Sequence, residues 1–197
     1  YLLDGRVIIL VDGSPYAIIT PGVLSDFLSS PDDKNQKTIF SNFTKFIRFV
    51  ASFITLLLPG LYIAVTSFHQ EILPTELLFS ILASRANVPF PIIFELLVLE
   101  LSFELIREAG LRVPSPIGPT IGIVGALVMG QAAVSAGIVS PILIIVVAIT
   151  GTASFAIPDY AFSFHLRIYR FVFIFLGYLC GFLGIALGVF VYMISMC

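Results

Sequence analysis

Charge is what this sequence has least of. Only 11% of its 197 residues are Asp, Glu, Lys or Arg, against about 25% in soluble globular domains. A water-soluble fold of this length needs a wet exterior, and too few polar residues are present to build one. The formal net charge of −2 excludes a basic surface for nucleic acid and argues for no charged partner. Cysteine is nearly absent too. Cys180 and Cys197 each lie in or at the end of an apolar stretch. Neither has a metal-ligand or redox spacing, so no disulfide framework is expected and both read as structural. His69 and His165 stand isolated, and the chain carries no nucleophile motif, phosphate loop or metal cluster. These absences argue against an enzyme, a bound metal and a cofactor.

What is present is apolar. Hydrophobic residues make up 58% of the chain and the mean hydropathy is +1.08. A bilayer resolves the surface problem by replacing water as solvent. The expected fold is an all-α integral membrane helical bundle of about five transmembrane helices, with one interfacial or re-entrant helix. Residues 1–35 differ in character and read as the end of a truncated cytoplasmic domain, a short β-hairpin and a short helix. Residues 36–197 read as the transmembrane domain. Residues 6–11 and 16–20 are the strands, Asp12-Gly13 is a turn signal, and Pro21 ends the second strand. Two strands alone are barely stable. The chain, which opens on Tyr1, therefore reads as a piece of a longer protein.

The spans are expected at residues 46–68, 91–109, 117–136, 140–158 and 171–194. Pro59 interrupts the first, and its freed carbonyl needs another partner. Residues 72–87 are too short to cross and read as the interfacial helix. Ser140-Pro141 supplies a cap and a first-turn proline for the fourth span. Residues 159–170 read as a mixed, basic loop. Lys34, Lys37, Lys45 and Arg48 precede the first span, Arg107 and Arg112 follow the second, and Arg167 and Arg170 precede the last. Cytoplasmic loops carry the excess of Lys and Arg, so the amino terminus is expected inside. An odd number of crossings then leaves the chain end on the other side, unless residues 72–87 insert.

The third span is two-sided. Gly118, Gly122, Ala126 and Gly130 recur every four residues, a stripe that admits another backbone closely. Thr120, Val124, Gln131 and Ser135 fall opposite, within about 60° of one another on a helical wheel. Val124, Leu127 and Val128 lie among these polar groups. A polar lane with an apolar ring suits a narrow pore with a hydrophobic gate. A small-residue helix packed in a bundle, with Gln131 hydrogen-bonded to a neighbour, suits it as well. Gly177, Gly181, Gly184 and Gly188 repeat the small-residue device in the last span, where close packing accounts for them.

The second span carries Glu95, Glu100, Glu104 and Glu108 with Arg107. Glu100, Glu104 and Glu108 stack on one face, and Glu95 points elsewhere. A charge near the middle of a span costs about 2.5–3.5 kcal/mol on insertion scales. Glu100 must therefore be protonated, paired or wet. It is either a cation or proton site, or half of a buried pair with Arg85 or Arg48.

The order of motifs along the chain resembles the GerA spore germination family, specifically the A subunits of nutrient germinant receptors. The matching stretches are Val11-Asp12-Gly13-Ser14-Pro15, Leu57-Leu58-Pro59-Gly60-Leu61-Tyr62-Ile63-Ala64, Phe68-His69-Gln70-Glu71 and Leu73-Pro74-Thr75. They continue through Val88-Pro89-Phe90-Pro91, Phe103-Glu104-Leu105-Ile106-Arg107-Glu108-Ala109-Gly110, Pro116-Ile117-Gly118, Gly122-Ile123-Val124-Gly125, Gly130-Gln131-Ala132-Ala133-Val134 and Val139-Ser140-Pro141. A related branch, the stage V sporulation AF-type proteins, shares the fold. The resemblance implies a role in starting germination from the inner membrane of bacterial spores, with the amino terminus cytoplasmic. It implies a germinant receptor B subunit, a C-subunit lipoprotein and membrane lipid as partners. It also implies a homo-oligomeric ring that conducts cations, with Val124 as constriction and Gln131 and Ser135 lining the lane. The rival readings are a secondary transporter that uses Glu100 for coupling and a structural scaffold for a receptor cluster.

Overall fold

The computed structural model describes residues 5–13, 17–111 and 118–196, with side chains described there except at 34, 111, 118–121 and 123. Strands β1 (Val7–Leu10) and β2 (Ala17–Thr20) pair antiparallel, Leu10 opposite Ala17. The ladder is shorter than the strands read from sequence. Gly13 takes φ +79° in the connecting loop, a conformation glycine adopts without steric cost. Ser14 to Tyr16 lie outside the described residues. Helix α1 (Leu24–Phe27) and a 3₁₀ turn (Pro31–Asn35) lead into α2 (Thr38–Phe68).

Helix α2 is longer than the expected first span and runs through Pro59. A 3₁₀ turn (Gln70–Ile72) and α3 (Thr75–Arg85) follow, the latter with Ile81 as its buried residue. Then come α4 (Ile92–Leu111), α5 (Gly118–Ser135), α6 (Pro141–Phe155) and α7 (Tyr160–Met196). The Ser140 hydroxyl caps α6 by accepting the Leu143 N–H at 3.4 Å, as the Ser-Pro pair predicts. Among the described residues two helices, α2 and α7, are long and apolar enough to cross a membrane. The others are shorter or more charged, so the structure gives a mostly helical chain with a short hairpin.

The last helix departs most from expectation. Residues 159–170 do not form a loop: helix α7 begins at Tyr160 and contains His165, Arg167 and Arg170. It does not run straight either. Gly181 sits at φ 60°, ψ −139°, outside the helical region. Tyr169 and Tyr192 have ring centroids 5.0 Å apart, whereas a straight helix would separate them by about 35 Å. Gly188 lies against Phe173 and Leu176. The chain therefore turns back at Gly181, and a leading arm (160–180) packs antiparallel to a returning arm (182–196). The apolar run at 171–194 is two arms, not one span.

This reversal changes where the chain ends. Met196 lines the same apolar cavity as Leu24, Leu28 and Phe49, beside α1 and the start of α2. An odd number of crossings would have put it at the opposite end. The leading arm runs parallel to α2: Phe162 and Leu166 join Leu28 and Leu56 in one core, and the tip at Gly181 lies over Phe68 and His69. The second core joins Ile63 of α2 with Leu96, Leu143, Val147 and Ile174. Helix α1 packs on the bundle, with Phe27 stacked on Phe162 at 5.4 Å. Outside these cores, large apolar side chains such as Phe43, Leu105, Leu179, Leu183 and Phe190 are exposed. Such a surface suits hydrocarbon rather than water.

Candidate functional site

Helix α5 separates its two faces. Gly122 and Gly130 are buried. A Cβ on Gly122 would stand 4.0 Å from the Ile106 carbonyl, and one on Gly130 would stand 3.3 Å from Ile144 Cγ2. The small stripe thus faces α4 and α6. Ala126 is half-buried and lines a cavity of about 250 Å³ with Leu99, Phe103, Gly130 and Ile144. Gly118 and Thr120 lie on α5, but their side chains are outside the described residues. Opposite, Val124, Leu127 and Val128 are 53%, 67% and 64% exposed, and Gln131 and Ser135 are exposed too. The Ser135 hydroxyl donates to the Gln131 carbonyl at 2.9 Å, so it is satisfied within its own helix. Val124, Leu127, Val128, Gln131 and Ser135 form one uncovered stripe about 100° wide on the helix.

The carboxylates of α4 are paired, and not with the partners the sequence pointed to. Glu95 is fully buried, accepts from Arg85 Nη2 at 3.0 Å and from the Ser140 N–H at 3.1 Å. It joins α3, α4 and the start of α6. Arg85 therefore pairs with Glu95 and not with Glu100. Arg48 belongs elsewhere again: it donates to Asp33 at 2.5 Å and to the Leu28 carbonyl at 3.1 Å. Burial alone would raise the Asp33 carboxyl. The hydrogen bonds from Arg48 and the Ser30 N–H, and the Arg48 charge, hold it below its ordinary value.

Glu100 and Glu104 meet the leading arm of α7. Arg170 Nη2 lies 3.0 Å from Glu100 Oε2 and 3.8 Å from Glu104 Oε2, and Arg167 Nη1 donates to Glu104 Oε1. Glu100 and Arg170 are almost entirely buried. Arg107 completes the group from α4, donating to Ser154 of α6 at 2.5 Å and lying 4.0 Å over the Phe155 ring. The face stacking of Glu100 and Glu104 was legible. Their partners were not, because the sequence reads Arg167 and Arg170 as loop charges. The available signal was Phe162, Leu166 and Phe173, which repeat at helical spacing around the two arginines. Arg112, read from sequence as a charge following the second span, lies outside the described residues.

The glycines of α7 serve different ends. A Cβ on Gly177 would stand 2.5 Å from the Gly60 carbonyl oxygen, so this position sets the crossing with α2. Gly181 makes the reversal. Gly184 and Gly188 face the leading arm at Leu176 and Phe173. They do not share one face of one helix.

Similarity to known proteins covers the same length of chain. Residues 1–197 match the family described as Bacillus/Clostridium GerA spore germination protein. Spore germination protein B1 of Bacillus subtilis (strain 168) is 52% identical over 169 residues, 86% of this chain and 35% of that protein. Spore germination protein KA of the same organism is 44% identical over 196 residues, covering 100% of this chain and 36% of the relative. Spore germination protein A1, also of that organism, is 48% identical over 186 residues, 94% and 39% of the two chains. The chain thus spans somewhat over a third of the length of these relatives. No solved structure matches it significantly. Taken over its whole length, this chain belongs to the GerA spore germination protein family.

Proposed function

We propose that this chain is the membrane core of the A subunit of a nutrient germinant receptor, and that it assembles with copies of itself into a nutrient-gated cation channel rather than an enzyme. In this reading α2, α4, α5, α6 and α7 are the membrane-crossing elements, with α7 crossing and returning, and α3 lies at the interface. The amino terminus is cytoplasmic and the membrane is the inner membrane of the spore. A B subunit and a C-subunit lipoprotein complete the receptor.

The observation that carries the channel reading is the uncovered stripe of α5. A helix with its small face packed and its apolar-and-polar face free has room for neighbouring copies around a common axis. In such a ring Val124, Leu127 and Val128 form an apolar constriction, which closes by dewetting. Gln131 and Ser135 continue the lane on one side and Thr120 on the other. Substituting Val124 by Ala widens the ring and wets it. Potassium efflux from liposomes that carry the full-length protein tests this. The pairing of Glu100 with Arg170 supports a structural use of that carboxylate over a transporter's coupling site.

A further inference from the structure

The five charged side chains between α4, α6 and α7 are more than a device for hiding charge. Helices α4 and α5 pack along their length, as do α2 and α7, but the backbones of α4 and α7 scarcely approach one another. Long side chains span that gap. Glu100 and Glu104 reach from α4 to Arg170 and Arg167 of α7, while Arg107 reaches Ser154 of α6. The α4–α7 link is therefore carried by long charged side chains rather than by close backbone packing.

The link is also unsaturated. Both carboxylate oxygens of Glu100, and Glu104 Oε2, are buried without a hydrogen-bond partner, as are Arg167 Nε and Arg170 Nε and Nη2. The Glu100–Arg170 contact at 3.0 Å is an ion pair without hydrogen-bond alignment. Buried charges so arranged hold one position of the helices strongly, because removal of either partner strands the other. Fully hydrogen-bonded clusters rigidify, whereas partly satisfied ones carry the cost of their unpaired polar groups. Separating α4 from α7 would admit water to those groups and lower that cost.

We propose that Glu100 and Arg170, with Glu104 and Arg167 beside them, are positioning residues for the gate: an ionic latch that ties the α4–α5 pair to the α2–α7 body and holds the pore stripe of α5 in its closed position. This rests on the channel reading above. Any opening that shifts α5 outward carries α4 with it, and must separate α4 from α7. The latch sets the cost of that step: Glu104 and Glu100 lie within two turns, on α4, of Ile106, against which Gly122 and Gly125 of α5 pack.

The test uses the full-length protein in potassium-loaded liposomes without nutrient, as wild type, Glu100→Gln, Arg170→Gln, the charge-exchanged double variant Glu100→Arg with Arg170→Glu, and Val124→Ala. The latch predicts basal efflux raised about tenfold or more by each single neutral substitution, with cation selectivity unchanged. The exchanged pair returns efflux towards the wild-type level. A merely structural role lowers the amount of membrane-inserted protein and total flux, and does not raise basal leak. Val124→Ala separates the two claims. If it leaks while both single substitutions stay at the wild-type level, the latch is overturned and the channel stands. If the single substitutions leak and the exchanged pair leaks as much, the pairing itself is overturned. If Val124→Ala and the single substitutions all fail to leak, the channel reading falls and the latch with it.

Discussion

Gly60 and Gly177 meet backbone to backbone where α2 crosses α7. A Cβ on Gly177 would stand 2.5 Å from the Gly60 carbonyl oxygen, and one on Gly60 would stand 2.7 Å from the Phe173 carbonyl oxygen. The obstacle on each side is main chain, which cannot swing aside as a side chain would. Gly177→Ala is therefore expected to destabilise the bundle by about 2–3 kcal/mol, through forced separation of the two helices. Ala186→Leu, on an exposed position of the returning arm, is expected to change stability by less than about 0.5 kcal/mol. Denaturant unfolding of the full-length protein in detergent micelles measures both. Equal, small effects would contradict the close crossing.

The reversal at Gly181 places Tyr169 and Tyr192 in contact, with ring centroids 5.0 Å apart. In a background with Cys180 and Cys197 replaced by Ser, cysteines at 169 and 192 are expected to join through a short bifunctional thiol reagent. A single straight span would hold them about 35 Å apart, beyond the reach of such a reagent. Two cysteines that each react with a maleimide but do not cross-link would refute the returning arm and move the chain end to the other side.

Helix α2, the capped start of α6 and the division of α5 into a small and a free face were legible because each follows from local periodicity and local capping. The arginines of α7 were not. Arginine near an apolar run marks a loop by its usual cost in a membrane. At Arg167 and Arg170 that cost is offset by Glu104 and Glu100, more than sixty residues earlier in the chain. The partner of Glu95 lies only ten residues away in sequence. Arg85 was in view as a partner for α4, but the stagger of α3 on α4 brings it to Glu95 instead of Glu100. Gly181 was hidden for another reason. A glycine every three or four residues fits a packing stripe, and one of them at positive φ fits a reversal, with no difference in composition.

The contact of Asp33 with Arg48 makes docking of residues 24–35 on α2 sensitive to acid. The Asp33 carboxyl is held below its ordinary value of 3.8. Its contribution is therefore fully present above that value and is lost as pH falls beneath it, through the folded-state pKa. Protease protection of this segment in proteoliposomes should persist from neutral pH to about pH 4 and fall below it. Asp33→Asn should lower protection throughout and abolish this dependence on pH. Persistence of the full dependence in Asp33→Asn would assign it to another group.

The central claim is that the free stripe of α5 lines a gated pore with Val124 at its narrowest ring. Potassium efflux from liposomes carrying the full-length protein tests it most directly, comparing wild type, Val124→Ala and Gly122→Leu. The account predicts low efflux from the wild type and high, nutrient-independent efflux from Val124→Ala. Efflux and germination unchanged by Val124→Ala, but disrupted by Gly122→Leu, would contradict it and leave α5 as a packing helix.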